Sequence, residues 1–250
     1  MEITCYVRRC VNDYKEFAGI DNFPTFTIKS KEMTLSKAET QGFDAPAAAF
    51  YDAETGLHIL EIWSKLYLPQ MNARYLVFHE LTHILDAETY SRKDKMKHMS
   101  NKGYTEYHAA QIDFLQILGA CNIMDSFSFD MNQKVETFAG TITAKEYVDE
   151  PRKHAVALIQ RTDFPRNIET LAVTLGLIFN YYGRRSICKM YAKNYEDKAD
   201  MSVVSSIIRE QTVKALNDFM LGWLEPKRVA IVDALYYKMS MFLVQQYHLA

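Results

Sequence analysis

Glycine and proline are scarce, at 9 and 6 residues in a chain of 250. Together with 13% aromatic residues, this excludes a collagen-like polymer and a wholly disordered chain. Cysteine is rarer still: Cys5, Cys10, Cys121 and Cys188 form no CxxC pair. A chain of this size buries roughly three quarters of its unfolded surface, so it needs no disulfide staples and reduced thiols are expected. Neither sign of charge is in excess. The 29 Lys+Arg and 31 Asp+Glu leave a formal −2, which offers no general footprint for nucleic acid. Long apolar runs are missing too. The most apolar stretches, 171–179 and 241–244, fall short of a bilayer span, and Glu2, Arg8 and Arg9 interrupt the region where a secretory signal needs an apolar core. The expectation is a cytoplasmic protein with no membrane or nucleic-acid partner.

What is present is β-prone early and helical later. Short β-prone pieces fall at 6–7, 23–28, 48–51 and 57–63, and Asp52-Ala53-Glu54-Thr55-Gly56 reads as the turn of a hairpin. Ser36 followed by Glu39 has capping-box spacing and predicts a helical turn or two over 35–41. From about Pro69 the apolar period becomes that of a helix. Helices are predicted over 71–87 and 104–120, then after Thr143 with Glu146 completing a capping box. Further helices are predicted from an Asn167 cap to near Gly183, over 203–220, and from Glu225-Pro226 onward. Pro151 is expected to kink or reset the third of these. Residues 88–102 carry five basic residues against two acidic ones without an apolar period, which predicts a solvated loop.

The sharpest local pattern is His79-Glu80-Leu81-Thr82-His83. Residues four apart return to nearly one helical face, so both imidazoles can reach one metal while Glu80 stands beside the remaining coordination position. Two neutral imidazoles and a carboxylate suit Zn2+ and leave room for water, whose proton Glu80 can take and later pass to a departing amine. Phe78, Leu81, Ile84 and Leu85 anchor this helix in a core, unlike an accidental motif on a solvated surface. The third ligand is expected to be Glu106, near the start of the next predicted helix, with Ala109 and Ala110 permitting close helix approach. His108, the rival for that ligand position, lies two residues on, about 200° around that helix, and is also a candidate donor to a developing oxyanion. Asp113, on nearly the face of Glu106, is a rival ligand or an acceptor for an imidazole N–H, and Asp86 is a second candidate acceptor. His58, Ile59 and Leu60 lie in the alternating segment before the metal helix, where an extended substrate could pair with a strand edge. No serine or cysteine has a nucleophile signature, and no phosphate-binding loop occurs.

A hairpin over 49–63, the HELTH helix, and Glu106 followed by Ala109 resemble the ImmA/IrrE-type zinc metallopeptidases over roughly residues 45–120. The resemblance implies zinc held by His79, His83 and Glu106, a catalytic Glu80, and a protein substrate, possibly a regulatory protein. The basic interval before Glu106, the bulky Tyr107-His108 pair and the C-terminal helices have no counterpart in it. The expected fold is α+β: a small N-terminal sheet, mixed or antiparallel, a zincin-like HExxH helix pair, and a mainly helical C-terminal region. A boundary near 163 would divide a zincin-like domain over 1–163 from helices over 164–250 packed on it or forming an adjacent lobe. The expected function is a zinc-dependent endopeptidase acting on a protein or peptide. The rival is a zinc-containing regulatory interaction module with little turnover; Glu80 opposes it, since a structural site needs no base.

Overall fold

The computed structural model describes residues 2–32, 45–125 and 127–249. The helical turn expected over 35–41 lies outside the described residues. The architecture is α+β, with eight α-helices, a three-stranded mixed sheet and a separate two-stranded sheet among the described residues.

The chain opens with α1 (Ile3–Ala18) rather than the strand expected at 6–7. Val7, Cys10, Tyr14 and Phe17 are buried along one face, so helical periodicity overrides the β propensity of Tyr6 and Val7. Gly19 ends the helix at φ 68°, a left-handed position that suits glycine. α1 packs on α2 (Arg74–Asp86) through edge-on contacts of Tyr14 and Phe17 with Phe78, and the Tyr14 hydroxyl bonds Thr82 Oγ1 at 3.0 Å.

The sheet comprises β1 (Thr27–Lys31), β2 (Ala47–Asp52) and β3 (Leu57–Trp63). β3 is central, parallel to β1 and antiparallel to β2. The predicted turn joins β2 to β3. The Asp52 carboxylate accepts from Glu54 N at 2.9 Å and from the Thr55 hydroxyl at 2.6 Å, and Gly56 takes φ 75°.

A π-helical turn over Ala87–Ser91 follows α2, and α3 (Lys95–Ile117) then runs through the middle of the molecule. Most of the expected 88–102 loop is therefore helical. Asp94 caps α3, its carboxylate accepting from Met96 N and Lys97 N at 3.0 and 3.1 Å. The first two turns bury little apolar surface, which is why they lack an apolar period.

β4 (Lys134–Thr137) and β5 (Gly140–Thr143) form a small hairpin not anticipated from the sequence. α4 (Ala144–Ile159) opens with the predicted capping box: Thr143 Oγ1 accepts from Glu146 N at 3.1 Å, and the Glu146 carboxylate accepts from Thr143 N at 2.7 Å. Pro151 lies inside α4 without ending it. Proline has no N–H to give the Tyr147 carbonyl; Arg184 donates to that carbonyl instead, at 2.7 Å.

α5 (Ile168–Tyr191) starts at the Asn167 cap but continues past Gly183. Glycine there permits a close crossing: a Cβ would stand 2.2 Å from the Tyr107 carbonyl of α3. The single run expected over 203–220 is broken at Arg209, φ 67°, into α6 (Ser202–Ile208) and α7 (Glu210–Phe219). α8 (Pro226–Gln246) begins with proline in its first turn as expected. Phe78, Leu81, Tyr107, Phe179, Val232 and Leu243 all belong to one buried core, so the helices after 163 share the core of the preceding half.

α8 is tied to α3 by Asn101 Nδ2, which donates to both Asp233 carboxylate oxygens at 3.3 and 3.4 Å. Burial pushes the Asp233 pKa up to about 6; the Asn101 bond opposes this and the charge of Asp86 adds to it. An acid whose folded pKa exceeds its unfolded value near 3.9 destabilises the fold as pH rises between the two. Asp233→Asn should therefore gain on the order of 1 kcal/mol over wild type at pH 7.5, after discounting for partial exposure, and much less at pH 4. Urea midpoints of the two proteins at both pH values test this, and a pH-independent gap would refute it.

Candidate metal centre

α2 places His79 and His83 one turn apart, with ring centroids separated by 4.8 Å. Each ring is fixed through Nδ1: His79 bonds Asp113 Oδ2 at 2.9 Å and His83 bonds Thr105 Oγ1 at 2.9 Å. A carboxylate only accepts, so His79 carries its Nδ1 proton toward Asp113. This arrangement leaves both Nε2 atoms directed elsewhere, and they converge on one oxygen. Glu106 Oε2 lies 3.7 Å from His79 Nε2 and 3.8 Å from His83 Nε2. Ligand atoms around a tetrahedral zinc with bonds near 2.1 Å are about 3.4 Å apart, close to the separations of Glu106 from the two imidazole nitrogens. Glu106 lies mid-helix in α3, rather than near its start as expected, because the helix begins at Lys95.

Glu80 also approaches the group: donor atoms of His79, Glu80 and His83 lie within 4.8 Å of one another. One Glu80 oxygen accepts the backbone N–H of Ala49 on β2 at 2.7 Å. Burial pushes the Glu80 pKa up to about 7, with His79 and the Ala49 N–H pulling the other way. Burial disfavours the charged form of His79, but its bonds to Asp113 and Glu106 outweigh that and raise it to about 10. His83, pressed by burial and by His79, falls to about 3. Glu106 falls to about 2, as the two histidines overcome its burial. A divalent cation bound there would compete with protons for the same nitrogen and oxygen atoms.

Behind the histidines, Asp113 is the acceptor that its position seven residues after Glu106 suggests. It is 3% exposed and also receives the Tyr147 hydroxyl at 3.2 Å and Arg184 at 3.4 Å. The Arg184 guanidinium lies 3.6 Å from the centre of the Tyr147 ring. Thr105, Tyr147 and Arg184 are supporting residues that sequence reasoning missed. Only Thr105 had a nearby signal, its adjacency to Glu106.

Three expectations are corrected. His108 is not in the cleft lining; its Nδ1 bonds Asp86 at 3.0 and 3.1 Å and its ring stacks on Tyr104, the consequence of lying two residues beyond Glu106 on a helix. Asp86 accordingly holds His108 rather than a metal-facing imidazole. The strand carrying His58, Ile59 and Leu60 has no free edge, because β1 and β2 occupy both sides of it. Ile59 faces Thr27 and Phe50 in register and Leu60 is fully buried; His58 does line the cleft beside α2, but lies under the Tyr51 ring with Nε2 3.3 Å from Glu88.

The strand edge beside the centre belongs to β2. Trp63 N donates to the Pro46 carbonyl, and antiparallel alternation then turns the backbone groups of Ala47, Ala49 and Tyr51 away from β3. These residues form one wall of an open cleft of about 610 Å³. His79, Glu80, His83 and Glu106 also line it, as do the α5 residues Ala172, Val173, Gly176 and Asn180. α5 stands close behind the third carboxylate, since a Cβ on Gly176 would lie 3.4 Å from Glu106. No helix among the described residues is long and apolar enough to cross a membrane. Comparisons with protein-family models, curated proteins and solved structures returned no match.

Proposed function

We propose that this protein is a zinc-dependent endopeptidase. The observation that carries the reading is the convergence of His79 Nε2 and His83 Nε2 on Glu106 Oε2, with both imidazoles held from behind by Asp113 and Thr105. Oriented imidazoles with a free nitrogen and one carboxylate are the donor set of a zinc site that keeps an open position. Zinc bound there would supply Lewis-acid chemistry, polarising a carbonyl and acidifying water. Glu80 would take a proton from the attacking water and return it to the leaving amine. The Ala49 N–H keeps its carboxylate turned toward the cleft. An extended peptide would lie along the outward groups of β2, a mode giving affinity without a narrow sequence requirement. The HELTH helix, with Glu106 on the next helix, supports the resemblance to ImmA/IrrE-type peptidases.

The reading is tested by metal analysis of protein purified without added zinc, followed by incubation with a cellular protein extract. About one zinc per chain is expected, lost in Glu106→Ala with the helical circular-dichroism signal preserved. New peptide termini are expected from the wild type alone. A chain that takes up no zinc at micromolar concentrations, or a loaded chain that yields no fragments, would overturn the reading.

A further inference from the structure

α3 turns a polar stripe toward the cleft at helical spacing: His98, Asn101, Lys102, Thr105 and Glu106. Thr105 holds His83, Glu106 completes the ligand triangle, and Asn101 reaches Asp233. Lys102 has no such partner; among the described residues no ion pair fixes its ammonium. It stands one turn before Glu106, about 6 Å along the axis and on the same face. Its charge is attracted to both Glu106 and Glu80. Solvent reaches the side chain through the open cleft, yet the surrounding protein lowers its pKa against the pull of those carboxylates. Among the described residues that line the cleft, Lys102 is the one lysine or arginine. Burial, with the charge of Lys102, pushes neighbouring His98 down to about 4, so that imidazole adds no charge at neutral pH.

We propose that the Lys102 ammonium holds the carbonyl oxygen of the scissile bond as negative charge develops on it. The inference rests on the peptidase reading and replaces the role that sequence alone gave to His108. As the water oxygen bonds to the carbonyl carbon, the C=O π pair moves onto oxygen and Glu80 takes the water proton. Lys102 keeps all its protons and donates a hydrogen bond to the oxyanion. On collapse the pair returns, the C–N bond breaks, and the Glu80 proton passes to the leaving nitrogen. A flexible lysine without a competing ion pair suits this task, since its hydrogen bond strengthens as the oxygen becomes charged.

The test uses the zinc-loaded full chain and two tetrahedral pseudopeptides: the phosphinic Ac-Ala-AlaΨ[PO2CH2]Ala-Ala-NH2, which carries a negative charge, and its uncharged hydroxyethylene isostere. Binding of each is measured by calorimetry to wild type, Lys102→Met and Lys102→Arg. Lys102→Met should weaken the phosphinic peptide by about 10- to 100-fold, Lys102→Arg should restore part of that, and the neutral isostere should change by less than about threefold. Zinc content should be equal in all three proteins. Equal weakening of both peptides would show that Lys102 only shapes the cleft. An unchanged phosphinic affinity, or a loaded wild type that does not bind that peptide, would also overturn the proposal while leaving the metal site standing. A wild type that takes up no zinc overturns the peptidase reading itself.

Discussion

Glu80→Gln is expected to lower kcat by about 10²- to 10⁴-fold while zinc content stays at the wild-type level. The substitution preserves volume, and the glutamine oxygen can still accept the Ala49 N–H that the Glu80 carboxylate now receives at 2.7 Å. The cleft wall and the ligand triangle are therefore undisturbed, and only the ability to take a proton is removed. KM should change little, since the lost interaction belongs to the transition state. Metal analysis beside a turnover assay on the same preparation separates the possible roles of this residue. Loss of zinc together with activity would make Glu80 a ligand, as its proximity to both histidines allows. Equal hydrolysis by the two proteins would end its role as base.

The parts of the cluster's geometry that were legible in the sequence follow from local spacing. His79 and His83 share a face because they are four apart on a helix, and Asp113 shares the face of Glu106 because it is seven beyond it. Residues 95–102 failed for the same physical reason that makes them interesting. One side of those two turns lines the cleft with His98, Asn101 and Lys102 and the other faces water, so no apolar stripe marks them as helix. Only the Asp94 cap does, and without the helix start the one-turn relation of Lys102 to Glu106 was invisible. The hairpin was legible, but not which of its strands forms an edge. That depends on the pairing of β1 with β3 across about thirty residues, which no local pattern encodes. At the N-terminus, the spacing of Val7, Cys10, Tyr14 and Phe17 carried the helix, and the β propensity of two residues obscured it. Arg184 lies 71 residues from Asp113, and nothing in its neighbourhood marks it. Its one sequence correlate is Pro151, which leaves the Tyr147 carbonyl in need of a donor.

That network makes Asp113→Ala the substitution with the largest expected cost in stability, about 3–5 kcal/mol. Asp113 offsets the charge of Arg184, which is 8% exposed, packed on Tyr147 and beyond easy reach of water. Removing the carboxylate leaves that cation without its closest counter-charge. Glu150, 3.9 Å away and far more exposed, is a weak substitute. The thermal midpoint should fall by roughly 10 °C or more for a chain of this length. The same change frees the His79 ring, so zinc affinity should drop by about 10- to 100-fold. Asp113→Asn separates the two effects, since its amide oxygen can still accept from His79 or from Tyr147 although the charge is gone. In the double variant Asp113→Ala/Arg184→Met the uncompensated charge is absent. Denaturant unfolding should then show part of the stability restored, even with the Tyr147 carbonyl unsatisfied, while zinc affinity stays low. If the two substitutions were simply additive in stability, Asp113 and Arg184 would not act as a pair, and the fold would hold the metal helix by packing alone.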